Sequence, residues 1–203
     1  MYRVFGDTRS GNCYKIKLLM SHLEIAHEWV EIDIMRGATK TAEFLSMNPN
    51  GKVPLLELPS GQYLWESNAI LNYLAQGTKY LPDEPWERAN VLKWQFFEQY
   101  SHEPYIAVAR FIAKYLGLPD ERRAEFESKK EGGHKALAVM ERQLSESEYF
   151  VDGKLTIADI SLYAYTHVAH EGGFELSGYP AVLTWLNRVS SHPRHVTMLQ
   201  AAV

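Results

Sequence analysis

The chain has one cysteine, Cys13, among its 203 residues. A lone cysteine excludes an internal disulfide framework and a tetrathiolate metal site. Long apolar runs are also missing. No stretch approaches the roughly eighteen uncharged apolar residues that a membrane-crossing helix needs, and charges interrupt Met1-Tyr2-Arg3-Val4-Phe5-Gly6-Asp7 before a secretory core could form. A cytoplasmic protein is expected. Charge of one sign is not in excess either: 21 basic and 25 acidic residues are interspersed, for a net charge of −4. That composition leaves no electrostatic footprint for nucleic acid and no charged tail. Internal repeats and low-complexity segments are absent. With 46% hydrophobic residues, the chain can bury a full core without staples.

The first eighty or so residues alternate in character. Tyr2 to Phe5 reads as a short strand before the turn residues Gly6-Asp7. Cys13, Ile16, Leu19, Met20 and Leu23 then recur at helical spacing and predict one apolar face. Glu28 to Ile32 alternates like a strand, and Thr41 to Met47 reads as a short helix stopped by Asn48-Pro49-Asn50-Gly51. Val53 to Leu58 and Gln62 to Trp65 form a hairpin pattern around Pro59-Ser60-Gly61, supplying antiparallel edge strands. Ser67, as N-cap, opens a helix closed by Gly77. The order β-α-β-α-β-β-α describes an α/β domain of thioredoxin-like size over residues 1–78.

A proline-bearing linker, 79–85, follows, and the character then changes. Residues 86–203 show helical periodicity throughout and predict an all-α C-terminal domain. Glu87 to Tyr115 reads as one long helix kinked at Pro104, and about Asp120 to Leu144 as a second, weakened by Gly132-Gly133. Thr156-Ile157-Ala158-Asp159 is a capping-box pattern. Pro180 to Val189 and Pro193 to Leu199 predict two terminal helices.

Three short motifs carry the chemistry. Ser10-Gly11-Asn12-Cys13 lies between the first strand and the first helix, where free N–H groups favour an anion. A redox turn would place two cysteines here. With serine first, the turn cannot close a disulfide, but its hydroxyl can hold an external thiolate. A free thiol near pKa 8.5 is only a few per cent ionised at pH 7. Lowering that value by roughly two units takes about 2.7 kcal/mol. A charge-assisted hydrogen bond supplies about 1.5–3 kcal/mol and a helix start about 0.3–1, so no metal is required. Second, Val53-Pro54 is either a trans proline that ends a loop or a cis peptide beside Lys52, which would offer the Val53 backbone to an extended peptide while Lys52 meets a carboxylate. Third, Glu66-Ser67 pairs a carboxylate with a helix start, the two partners that an amino-acid head group requires.

Taken in order over the whole chain, Ser10, Val53-Pro54, Glu66-Ser67 and the Thr156-x-x-Asp159 box resemble the cytosolic glutathione transferases of serine type, with a fainter similarity to their maleylacetoacetate isomerase branch. The resemblance implies glutathione as co-substrate, extended across the first domain, and a hydrophobic electrophile in a pocket lined by the second. It also implies a homodimer acting in detoxification. Ser10 then corresponds to the catalytic hydroxyl, Glu66 and Ser67 to the γ-glutamyl contacts, Val53 to the cysteinyl backbone partner and Lys52 to the glycyl carboxylate partner. No tyrosine stands at the end of the first strand, which separates the chain from the tyrosine-type classes.

Several readings stay open at this point. Asn12 is either a second donor to the sulfur or a helix cap. Cys13 is either a nucleophile toward glutathione or, from its place on the apolar face, a structural residue. Arg9 reads as a solvent-facing loop residue, and His167 with His170 as packing residues rather than a metal pair. Tyr100, Tyr105 and Arg110 are the expected pocket residues on the long helix. Conjugation is the leading activity. Glutathione-dependent isomerisation or disulfide reduction, and a non-enzymatic binding or assembly module, are the alternatives.

Overall fold

The computed structural model describes residues 1–200, so the last three residues of the expected second domain, 201–203, lie outside the described residues. The chain forms two compact units, Met1–Gln76 joined by the stretch from Pro193 onward, and Gly77–His192.

The first unit contains β1 (Tyr2–Gly6), α1 (Gly11–His22), β2 (His27–Glu31), α2 (Ala42–Met47), β3 (Leu55–Glu57), β4 (Tyr63–Trp65) and α3 (Ser67–Ala75), with 3₁₀ turns at Ile34–Arg36 and Ala38–Lys40. This is the expected β-α-β-α-β-β-α order. The sheet runs β2-β1-β3-β4. β1 pairs parallel to β2, with Val4 opposite Trp29, and antiparallel to β3, with Val4 opposite Leu56. Only β4 of the hairpin is an edge, because β3 is held between β1 and β4.

The helix α1 departs from its predicted single apolar face. It is buried almost all round, Lys15 and Lys17 included, because it packs on α3 and also receives the C-terminal stretch. That stretch was expected as a helix over Pro193 to Leu199 in the second domain. Instead it runs without regular secondary structure in the first unit. Its carbonyls explain why: those of Arg194, Val196 and Met198 accept from Ser21 Oγ, Tyr14 Oη and Lys17 Nζ at 2.8, 2.7 and 3.0 Å. Anchoring alternate carbonyls on α1 side chains holds the stretch against the first unit in place of a helical coil.

The second unit is helical: α4 (Pro85–Phe97), α5 (Glu103–Arg110), α6 (Arg123–Glu146), α7 (Ile157–Thr166) and α8 (Pro180–Ser190). The disturbance expected at Pro104 takes the form of a π-helical turn over Glu98–His102, with a second at Phe111–Tyr115. Proline lacks an N–H and crowds the carbonyl four residues earlier, and widening the preceding turn relieves both. Gly132 and Gly133 do not weaken α6, which is continuous. A Cβ on Gly132 would lie 2.2 Å from the Tyr105 ring, and one on Gly133 2.2 Å from the Phe174 ring. These glycines are seats for aromatic rings.

The Thr156 capping box starts α7, and its acid does more than cap. Asp159 is fully buried and accepts from Phe150 N, Trp185 Nε1, Thr156 N and Thr156 Oγ1 at 3.2, 3.0, 2.9 and 3.2 Å. Burial pushes its pKa up to about 6, against the pull of those four donors. Because the folded value is raised, this group's contribution to stability is full below about pH 4 and is lost as pH rises through about 6. Asp159→Asn turns one acceptor toward donors and should cost about 1–3 kcal/mol. Urea unfolding should show the deficit largest near pH 4.5 and narrowing by pH 7; a deficit constant with pH would contradict the raised value.

Candidate functional site

The site begins where β1 ends. The Asp7 carboxylate is buried and accepts from Arg9 N, Nε and Nη2 at 2.9, 3.2 and 3.1 Å, so the loop arginine is exposed, as expected, but anchored on a buried acid. Ser10 N donates to the Asp7 carbonyl at 2.9 Å. From the end of β2, Glu31 accepts from Thr8 N at 3.0 Å, Thr8 Oγ1 at 2.5 Å and Trp29 Nε1 at 2.8 Å. Burial draws the Glu31 carboxyl upward, but the Thr8 and Trp29 donors outweigh it and hold the pKa below the ordinary value. Two carboxylates thus fix the loop that carries Ser10.

Ser10 is the N-cap of α1, in extended conformation, and its Oγ accepts from Cys13 N at 3.4 Å. A hydroxyl has two acceptor sites and one hydrogen. Capping the helix uses an acceptor site, so the one hydrogen can turn to a sulfur, that of Cys13 beneath or that of a ligand. Cys13 sits beneath, fully buried, and burial pushes its pKa up to about 12 despite hydrogen bonds from Ser10 and the Asp7 backbone.

Asn12 does not cap the helix. Its Oδ1 accepts from Ser67 Oγ at 3.2 Å, which joins the start of α1 to the start of α3. Ser67 is the first helical residue of α3 rather than its N-cap; Glu66 occupies the cap position with φ of 72°, a left-handed conformation unusual for glutamate. That twist at the strand–helix junction leaves the Glu66 side chain exposed while Ser67 is buried. Asn50 Nδ2 donates to Glu66 Oε1 at 3.2 Å.

The Val53–Pro54 bond is cis, and the Val53 N–H and C=O take part in no backbone hydrogen bond among the described residues. The preceding turn is braced by asparagine: Asn48 Oδ1 accepts from Asn50 N at 3.0 Å, and Asn48 Nδ2 donates to the Lys52 carbonyl at 2.7 Å. Lys40 Nζ donates to the Gly51 carbonyl at 2.9 Å. Lys52 itself is exposed. The sequence pattern marked Asn48 to Gly51 only as a turn, so the bracing role of Asn48 and the contact from Asn50 were missed. Lys15 was missed too; its Nζ lies 3.4 Å from Ser67 Oγ, fully buried. A lysine inside a helix carries no outward mark of burial in a sequence.

The three residues expected along the long helix have different surroundings. Tyr100 is exposed, and with Tyr105 it lines a shallow cavity of about 250 Å³ in the helical unit, beside Phe97, Ser101 and Lys135. Arg110 is buried and paired with Glu171 at 2.7 Å, so its charge is already matched inside that unit. His167 stacks on Tyr163 at 4.8 Å, and no cluster of metal-ligating side chains occurs among the described residues. A larger cavity, about 550 Å³, lies by the C-terminal half of α1 and is lined by Lys17, Met20, His27, Arg194 and His195. It is apart from the Ser10 turn, and its basic groups are engaged within the protein: Lys17 with main-chain carbonyls, Arg194 with Glu24, and His195 with Tyr14. Among the described residues, no helix is long and apolar enough to cross a membrane.

Residues 2–76 match the glutathione S-transferase N-terminal domain and residues 94–193 the C-terminal domain. Glutathione S-transferase GstB of Escherichia coli K12 is 30% identical, over 98% of this chain and 99% of its own. The crystal structure of a glutathione S-transferase from Pseudomonas fluorescens Pf-5 superposes with a TM-score of 0.97 at 62% identity, covering 98% of this chain and 99% of that one. The glutathione transferase URE2P8 of Phanerochaete chrysosporium, solved with oxidized glutathione, superposes with a TM-score of 0.86 at 27% identity, covering 95% and 90%.

The state of Cys13 generates a direct test. With a pKa near 12, the native thiol should react with oxidized glutathione at pH 8 about a thousandfold more slowly than a free cysteine, and at the ordinary rate once unfolded. Intact-mass measurement reads this; rapid gain of one glutathionyl unit by the native chain would contradict the burial argument.

Proposed function

The chain belongs to the cytosolic glutathione transferase superfamily, and from that premise we propose that it joins glutathione, through its sulfur, to a hydrophobic electrophile. The observation that carries this reading is Ser10: it caps α1 with its oxygen, and its hydrogen can turn from the Cys13 sulfur to a thiolate at the helix start. Glu66, steadied by Asn50, takes the glutathione ammonium, and Ser67 at the start of α3 takes the adjoining carboxylate. The unpaired Val53 backbone pairs with the cysteinyl unit, and exposed Lys52 meets the glycyl carboxylate. The electrophile lies against aromatic side chains of the helical unit, with Tyr100 and Tyr105 proposed among them. The enzyme acts as a cytoplasmic homodimer in this reading.

The chemistry is a matter of population. Free glutathione at pH 7 is a few per cent thiolate. One charge-assisted hydrogen bond and a helix start together can make the thiolate the major form. Part of that gain is given back, because a more stabilised thiolate is a weaker nucleophile, with a Brønsted slope of about 0.4–0.5. The net advantage is largest at and below the pKa of the bound thiol and disappears as pH approaches that of the free thiol. As the sulfur–carbon bond forms, charge leaves the sulfur and the Ser10 hydrogen bond relaxes.

A second reading, reduction of small disulfides, is favoured by the oxidized glutathione bound to the URE2P8 relative. Since Cys13 is buried, that route requires two glutathione molecules in succession rather than a protein thiol. An activated aryl halide and a small dialkyl disulfide, offered as competing substrates, separate the two activities.

The main test uses Ser10→Ala. Ultraviolet titration of bound glutathione should show its thiol pKa rising by about 1–2 units, and kcat/KM at pH 7 should fall by up to about threefold, with the acid limb of the profile shifted to higher pH. An unchanged thiol pKa would remove Ser10 from the mechanism.

A further inference from the structure

A fully buried lysine lies directly behind the Glu66–Ser67 end of the site. The Lys15 side chain leaves α1 and brings its ammonium 3.4 Å from Ser67 Oγ. Ser67 is buried as well, and its hydroxyl donates to Asn12 Oδ1 at 3.2 Å. The direction of these bonds follows from the groups themselves. An ammonium has three donors and no acceptor, so Lys15 can only donate to the serine oxygen. The Ser67 hydrogen must then point away from Lys15. In this structure it points to an amide oxygen, and a ligand can replace that acceptor only with an acceptor of its own.

Burial adds a second effect. A cation removed from water strongly favours an anion within a few ångströms, because little solvent screens the pair. An anion bound to Ser67 Oγ would lie within about 6 Å of the Lys15 ammonium, two hydrogen bonds in series. The first turn of α3 adds its own partial positive charge at the same place.

We propose that Lys15 is a positioning residue that makes this end of the site selective for a carboxylate: it orients the Ser67 hydroxyl outward as a donor and supplies the buried countercharge. The proposal rests on the reading that glutathione occupies the site, and it assigns to Lys15 the recognition of the γ-glutamyl α-carboxylate. Lys15 lies behind Ser67, so it acts through that hydroxyl and its field rather than by contact with the reacting sulfur.

The test is a comparison of two ligands on two proteins by calorimetry: glutathione and its analogue lacking the α-carboxylate, on the wild type and on Lys15→Met. The wild type should prefer glutathione, and Lys15→Met should reduce that preference about ten- to hundredfold, the loss expected for one weakly screened charge pair. KM for glutathione should rise with kcat nearly unchanged. If Lys15→Met weakens both ligands equally, or leaves the preference intact, Lys15 is a packing residue and the inference fails while glutathione binding stands. If the wild type binds neither ligand, the reading of the site itself is wrong. Should Lys15→Met not fold, the wild type decides. The Lys15 side-chain ammonium resonance should shift on adding glutathione and not on adding the analogue; an identical response to both overturns the proposal.

Discussion

The start of α1 has to meet two demands with one side chain. Its first amides need acceptors, and in the proposed function a ligand sulfur needs a donor. A serine hydroxyl answers both, because oxygen and hydrogen serve different partners. Much of the first unit supports that arrangement. Asp7 accepts from Arg9 and, through its carbonyl, from Ser10, while Glu31 anchors Thr8 from the end of β2. Asn12 carries the connection onward to Ser67, and Asn50 extends it to Glu66. The site is therefore a chain of short polar contacts strung across the start of α1, the start of α3 and the turn before the cis proline. Its parts come from distant places in sequence.

Both units invest in buried polar groups, to different ends. In the helical unit Asp159 collects four donors from three segments and fixes α7 against Trp185. Arg110 and Glu171 form a matched pair inside the same unit. Such contacts set geometry, since a polar group left unmatched in the interior costs more than a matched one contributes. In the first unit, Lys15 and Lys17 are buried beside one helix but face different partners. Lys17 binds carbonyls of the C-terminal stretch, whereas Lys15 reaches the Ser67 hydroxyl. One lysine holds the chain's end in place and the other stands behind a binding element.

Much of this was legible beforehand. The strand and helix order of the first unit follows from spacing and turn residues, and the capping box at Thr156 from four letters. What escaped was contextual. Gly132 and Gly133 read as a weak point because their value lies in the rings of Tyr105 and Phe174, far away in sequence. The stretch after Pro193 read as a helix because its carbonyls are claimed by α1 side chains that no local pattern reveals. Within the site, Ser10, Glu66 and Ser67 stand out as residue types suited to a sulfur anion and an amino-acid head group. Lys15, Asn48 and Asn50 do not, since their roles depend on burial and on bonds across the fold. Arg110 illustrates the converse: an apt residue type whose charge is answered by Glu171.

The account stands or falls on where the sulfur of glutathione sits. A crystal structure of the wild-type protein with reduced glutathione bound measures this directly. The account predicts the sulfur within hydrogen-bonding distance of Ser10 Oγ, at the start of α1, with the Val53 backbone paired to the cysteinyl unit. A sulfur directed away from Ser10, toward the Asn12 amide or out of the turn altogether, would contradict it.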